Sequence, residues 1–413
     1  MHSMNEYSSA IQLRSDRWSA LREATAALNR DPVPREKKAL IKQLDALLKS
    51  LSIIEPYWAV PGMAVFDHMR RQMDHGSYED LAFAVGRVTR ALTTGAYRRR
   101  HIPLERDSID PEEDDEALLS PEARALSKPY FEVLIVDNVN EQQDRWLRTN
   151  MTRMRRPEDP FIYEPVVVSS LEDALIAVLF NHNIQAIVVR PGLVLKSKTE
   201  QDILTRYLAR AGGREEIDAL APESYGPELC RMVAKVRPEL DAYLITERSV
   251  EDIAGHDLGI CRRVFYNQED FLELHLNILR GVQARNKTPF FNALVEYSKQ
   301  PTGVFHAMPI SRGKSISRSH WIQDMGAFYG PNIFLAETSA TSGGLDSLLE
   351  PHGPIKEAQE LAARAFGSKQ TFFATNGTST CNKIVVQALI KPGDIVLVDR
   401  DCHKSHHYGM VLA

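Results

Sequence analysis

The sequence lacks paired cysteines. Its four, Cys230, Cys261, Cys381 and Cys402, are widely separated, with no CxxC and no metal-ligand spacing. That excludes a zinc knuckle or a disulfide framework and leaves reduced thiols in a cytoplasmic protein as the reading. The opening residues, MHSMNEYSSA, lack the apolar core of a signal peptide. No run of about 18 apolar residues is present to span a bilayer. There is no strong charge of either sign. A net charge of −5 over 413 residues argues against nucleic acid as a partner. The Walker pattern GxxxxGK[ST] and the zinc motif HExxH are absent too. What remains is an ordinary globular balance, 43% hydrophobic and 25% charged, with length for two or three domains.

Residues 1–104 read as helical. RSDRWSALREATAALN (14–29), REKKALIKQLDALLKSLSII (35–54) and YEDLAFAVGRVTRALTTG (78–95) repeat apolar residues every three or four positions. The basic run YRRRH (97–101) suits a solvated helix end better than an acidic ligand. The next stretch, 105–128, reads as an acidic linker. ERDSIDPEEDDE (105–116) has eight acidic residues, too many for any core, and solvation explains them better than a metal does.

From 129 to 286 strands and helices alternate. FEVLIVD (131–137), YEPVVVSS (163–170), IQAIVVRP (184–191), DAYLITE (241–247) and CRRVFYN (261–267) are apolar runs with helical stretches between them. Such alternation implies βαβ units and a parallel sheet, here a flavodoxin-like doubly wound α/β fold. The stretch resembles a response-regulator receiver domain. A receiver takes a phosphoryl group on an Asp after its third strand, where this chain has Arg190. It carries a Lys after its fifth, where this chain has Tyr266-Asn267-Gln268. Asp137 alone cannot hold a metal and a phosphoryl group. The expectation is a receiver-like fold without the switch, working in packing and assembly.

The last stretch, 287–413, begins with one helix in NKTPFFNALVEYSKQPT (286–302) and a short strand in GVFHAMP (303–309). PHGPIKEAQELAARAFG (351–367) is a helix, with Gly353-Pro354 at its start and Gly367 at its end. QTFFATNG (370–377) reads as strand and turn, TSTCNKIVVQALI (378–390) as helix, and DIVLVDR (394–400) as strand.

The chemistry concentrates where the strand expected at 370–374 meets the helix expected at 378–390. The first N–H groups of a helix have no internal partner, and the helix dipole adds partial positive charge there. The hydroxyls of Thr378 and Ser379 add donors, and Gly377 allows close backbone approach. Together they suit a phosphate. On the motif alone, a plain N-cap role for Thr378 or Ser379 is the stronger reading, since capped βα turns are common. His403, just past the next strand, falls near this turn if the strands line one crevice. An imidazole stacked on a flat ligand is the stronger use for it. Metal binding by His403, His406 and His407 is the weaker one, for want of an HExxH glutamate.

The run DSLLEPHGPIKEAQELAARAFG, followed by TFFATNGTSTCNKIVVQALIKPGDIVLVDRDCHKSHHYGMVLA, resembles the bacterial ornithine/lysine/arginine decarboxylases. The likeness is dense over about 343–413 and looser over 287–342. It implies pyridoxal 5'-phosphate as cofactor on an aminotransferase-like (fold type I) domain, behind a receiver-like wing domain that helps assembly. It implies that Thr378 and Ser379 hold the cofactor phosphate, that Asn376 and Gly377 shape the turn, and that His403 stacks on the pyridine ring. It further implies a basic amino acid as substrate, an amine and carbon dioxide as products, and a homo-oligomer.

The chain departs from the family at HAMPISRG (306–313), where a Pro-Gly-His sequence is usual; His306 keeps the first histidine of that region. The family's Schiff-base lysine and its pyridine-pairing Asp lie beyond the position of Ala413, so the expectation is a truncated domain without catalytic residues, inactive by itself. Neither Lys404, in Cys402-His403-Lys404, nor Lys383 is assigned the lysine's role. Two other readings stand beside this one: a non-catalytic assembly module with a vestigial cofactor site, and another pyridoxal-phosphate enzyme of the same fold. Trp58, Trp146 and Trp321 read as packing residues, and Asp346 as either a site-entrance residue or a helix cap.

Overall fold

The computed structural model describes residues 3–30, 32–95, 97, 128–198, 220–247, 258–266, 269–305, 307–320, 323–338 and 345–413. The acidic run at 105–116, the basic residues 98–101, Asn267, Gln268, His306 and Trp321 lie outside them. The chain divides into two compact units, Met1–Asn286 and Lys287–Ala413.

The first unit opens with helices α1 (Ser3–Leu28), α2 (Pro34–Ile54), α3 (Met63–Asp74) and α4 (Tyr78–Thr94). The periodic apolar residues form one core: Trp18 and Leu21 of α1, Leu44, Leu47, Leu48 and Leu51 of α2, Phe66 and Met69 of α3, and Leu81, Val85 and Val88 of α4. Each fully buried side chain of this size contributes ~1.5–3 kcal/mol relative to exposure. Pro34 opens α2, where its missing N–H costs nothing, and Gly95 closes α4 at φ +72°.

Among the described residues the sheet comprises β1 (Tyr130–Val136), β2 (Ile162–Val168), β3 (Ile184–Val189), β4 (Asp241–Thr246) and β5 (Cys261–Tyr266), all parallel, in the order β2-β1-β3-β4-β5. Between them lie α5 (Glu141–Arg153), α6 (Leu171–Phe180) and α7 (Tyr225–Val236), and α8 (Phe271–Arg285) follows β5. Alternation along β1 separates two cores. Phe131, Val133 and Ile135 pack with Leu147 of α5 and Leu274 and Ile278 of α8. Leu134 and Val136 pack with α6 and with Leu229 and Val233 of α7. Covered on both faces, β1, β3 and β4 are almost continuously buried, while the edge strand β5 exposes Arg262 and Arg263. Helix α6 is buried almost all round, between the sheet and the 3-10 turn Glu55–Tyr57 that follows α2.

Polar groups tie that turn to the sheet. Asn181 Nδ2 donates to Tyr57 O (2.7 Å) and to Glu132 Oε2 (2.6 Å), and the Ala59 N–H reaches the same oxygen at 3.1 Å. Tyr57 Oη donates to Asp173 Oδ1 at 3.0 Å. Glu55 is buried and accepts two bonds from Arg14 (2.7 and 2.8 Å) and one from Trp18 Nε1 (2.8 Å). Trp58 is likewise buried, in keeping with a packing role. Trp146 is 49% exposed, with its ring against the edge of Phe271.

In the second unit, α9 (Pro289–Lys299), α10 (Pro354–Phe366), α11 (Thr378–Leu389) and α12 (Lys404–Leu412) are joined by irregular chain and short helical turns between 311 and 335. Arg312 closes the C-terminus of α9. Its guanidinium donates to the carbonyls of Tyr297, Ser298, Gln300 and Thr302, 4.7 Å from the centroid of the Tyr297 ring. Ser311 and Arg312 both adopt positive φ, +53° and +54°, to make this reach.

Three strand expectations fail here. Residues 303–305, 370–374 and 394–399 carry no strand, and none pairs with another strand among the described residues. A strand exists through its ladder, and apolar sequence cannot supply one. Ile395 and Leu397 are 93% and 95% exposed.

Candidate functional site

Gly377 occupies the N-cap position of α11 at φ +77°, ψ 176°, a conformation that L side chains rarely adopt. It has no side chain, and no side-chain bond caps the helix. Thr378 and Ser379 follow as the first two helical residues. Neither is the N-cap, which settles one of the two sequence readings of these hydroxyls. Thr380 Oγ1 turns back to donate to Asn376 O at 3.2 Å, fixing the turn. Gly377 O accepts the N–H groups of Thr380 and Cys381. The helix start therefore leaves its first N–H groups without a side-chain cap, next to the exposed Thr378, a donor set suited to an anion.

His403 is not brought to this turn by a pair of strand ends, because those strands do not form. Side chains make the connection instead. Asn382, in the second turn of α11, donates from Nδ2 to Ser405 Oγ at 2.8 Å. Ser405 is buried, and both its N–H (3.2 Å) and its hydroxyl (2.9 Å) bond His403 Nδ1. Nδ1 is then an acceptor, so the ring proton belongs on Nε2. His403 is the N-cap of α12 and lies outside the helix, so it shares no helix face with His407. His407 Nε2 instead approaches Cys402 Sγ at 3.4 Å. Among the described residues no group of three or more His, Cys, Asp or Glu is arranged to hold a metal. Lys404 is the exposed first residue of α12, and Lys383 is half-buried on α11.

Helices α11 and α12 meet at Gly409. A Cβ there would lie 3.0–3.2 Å from the Val386 side chain. Sequence reading passed over Asn382 and Gly409. A glycine within an otherwise helical run was the available signal for close packing.

Asp346 resolves as a cap. Its carboxylate accepts the N–H groups of Ser347, His352, Gly353 and Ile355 at 2.9–3.0 Å, which fixes the turn before α10. What burial there is raises the carboxyl pKa, but the four donors outweigh it and hold the group at about 2.

Residues 288–413 match the model of the Orn/Lys/Arg decarboxylase major domain. Lysine decarboxylase LdcA of Pseudomonas aeruginosa is 37% identical over 194 residues, 45% of this chain and 26% of that protein. The constitutive ornithine decarboxylase of Escherichia coli is 31% identical over 173 residues, 42% of this chain and 24% of that protein. The crystal structure of the Francisella novicida lysine decarboxylase LdcF aligns with a TM-score of 0.33 at 22% identity, covering 68% of this chain and 35% of that one. Over residues 288–413 the chain is thus similar to the major domain of the Orn/Lys/Arg decarboxylases. It spans about a quarter of the length of the curated relatives it matches. Among the described residues no helix is long and apolar enough to cross a membrane.

Proposed function

We propose that this chain contributes the phosphate- and ring-holding corner of a pyridoxal-phosphate-dependent decarboxylase acting on a basic amino acid. The observation that carries this is the start of α11, where Gly377 leaves the helix without a side-chain cap and the hydroxyl residues Thr378 and Ser379 are the first two of the helix. This donor set fits a phosphate dianion. When bound, pyridoxal phosphate supplies an electron sink for the charge left as carbon dioxide departs. In this reading Thr378, Ser379 and the α11 N–H groups hold the phosphate, and Asn376 and Gly377 shape the turn. His403 would stack on the pyridine ring. Its Nδ1 is engaged by Ser405, which fixes the ring's orientation through Asn382. In this reading the whole protein assembles into a homo-oligomer, as the family resemblance implies.

The test is binding of pyridoxal phosphate to the 413-residue chain, followed by the cofactor's absorbance and by calorimetry. Thr378→Ala with Ser379→Ala removes two bonds to a charged group and should weaken binding by about tenfold or more. Inorganic phosphate should compete. Unchanged affinity in the double variant would sink the assignment.

For residues 129–286 we infer a receiver-like module that does not switch. Arg190, at the end of β3, bonds Asp137 Oδ2 at 2.6 Å and lies 3.0 Å from Glu269 Oε1. Asp137 is thereby committed to an internal cation, which favours a packing and assembly role. Incubation with acetyl phosphate and Mg²⁺ should give no phosphorylated chain by intact mass, and a mono-phosphorylated product at Asp137 would refute this.

A further inference from the structure

Two of the cysteines that the sequence keeps far apart meet within the first unit. Cys230 lies in α7, fully buried in the core between that helix and the sheet. Cys261 is the first residue of β5, the edge strand, half-buried and packed against the same core. The chain just before it, Leu258–Ile260, packs on α7. The two thiols are within hydrogen-bonding reach of each other. That contact, together with burial, pushes the Cys230 thiol well above the ordinary range and keeps it protonated. Neither is in a disulfide in this structure. Cys381 and Cys402 belong to the other unit.

We propose that Cys230 and Cys261 form a reversible disulfide that pins the edge strand β5 to helix α7 when the chain meets hydrogen peroxide. The difference in burial sets the order of events. Peroxide reaches Cys261 at the sheet edge, transfers one oxygen to its sulfur and leaves as water, giving a sulfenic acid. The Cys230 sulfur then attacks the Cys261 sulfur. The S–S bond forms, the S–O bond breaks, and the departing hydroxide takes the Cys230 proton as a second water. In sum two thiols lose two electrons and one peroxide becomes two waters. The protonated state of Cys230 makes the second step slow at neutral pH and faster as pH rises. A thiol reductant reverses the bond through Cys261, the less buried of the two. The cross-link encloses β4, and so restricts the unfolded chain as well as the folded edge.

The experiment treats the full chain, natively folded, with hydrogen peroxide. Remaining thiols are then alkylated, and intact mass is combined with peptide mapping without reductant. The expected product has lost two hydrogen atoms, carries a Cys230–Cys261 peptide pair, and returns to the starting mass in dithiothreitol. Its urea midpoint should be higher before reduction than after. Cys261→Ser, a change at a half-buried position, should abolish the pair. Cys230→Ser should leave Cys261 as a sulfenic acid that dimedone traps. Should Cys230→Ser fail to fold, the wild-type peptide map and Cys261→Ser decide alone. Recovery of both thiols in alkylated form, a Cys381–Cys402 pair in their place, or over-oxidation without a cross-link would each overturn the proposal.

Discussion

Asn382 donates a 2.8 Å hydrogen bond to the buried Ser405 hydroxyl, joining the second turn of α11 to the first turn of α12 and, through Ser405, to His403. Replacing Asn382 with Ala removes the donor and leaves Ser405 Oγ one partner short. The expected loss is about 1–2 kcal/mol, seen as a lower urea midpoint. The ring nitrogens of His403 should also move toward a tautomer mixture in ¹⁵N spectra. Unchanged ring shifts in Asn382→Ala would show that His403 is held by other means.

Gly409 offers a test in which two effects compete. In an open helix Gly→Ala gains about 1 kcal/mol. Here the new methyl would sit 3.0 Å from Val386 Cβ. Overpacking of this kind costs about 1–3 kcal/mol, so the net change should be destabilising. Adding Val386→Ala should recover part of that loss. A double-mutant cycle by denaturant titration checks the sign, and purely additive effects would exclude the contact.

The Asp346 carboxyl, held at about 2 against an ordinary 3.8, stabilises the folded state above its unfolded value. That stabilisation is lost as pH falls from about 4 through 2. Asp346→Asn keeps one acceptor oxygen and presents an amide N–H₂ to donors. Its expected cost is that of a lost helix cap, about 0.5–2 kcal/mol at pH 7, vanishing toward pH 2. Unfolding midpoints of the two chains should converge in acid. A gap that persists at pH 2 would contradict the capping role.

Glu132 behaves with the opposite sign. Burial raises its carboxyl pKa above 4.5, and the bonds from Asn181, the Ala59 N–H and Tyr130 only partly offset that. A carboxyl that holds its proton more tightly when folded favours the folded state most below its unfolded value. This contribution fades as pH climbs from 4.5 through the raised folded value. Glu132→Gln should flatten this stretch of the stability curve while keeping an acceptor for Asn181. Parallel curves for the two chains would show that Glu132 titrates normally.

How much was legible in the sequence depended on whether a structure is local or shared. Helices α2 and α4 announce themselves because their apolar spacing is set by the helix itself. The central strands β1, β3 and β4 were readable because burial on both faces makes them mainly apolar runs. The segments TFFAT and DIVLVD look the same on paper, yet without a ladder they are not strands. Helix α3 went unread, since Met63–Asp74 mixes its apolar residues with charges. At the site, the glycine–hydroxyl turn was visible from its composition. Neither the Asn382–Ser405 bond nor the Cys230–Cys261 contact could be seen, because both join residues more than twenty positions apart.

Strand β1 keeps count. Its odd-numbered side chains, Phe131, Val133 and Ile135, serve one core, and its even-numbered ones, Leu134 and Val136, serve the other, with Glu132 buried among its hydrogen-bond donors. Deleting or inserting one residue within it would exchange the two sets. The Glu132 carboxylate would turn to the wrong face, and five apolar side chains would lose their places at once. Substitutions by other apolar residues can be absorbed here one at a time, but a change in length cannot. Natural variation in this strand should therefore run through residue identity at constant spacing, and insertions should fall in the connections beyond Val136.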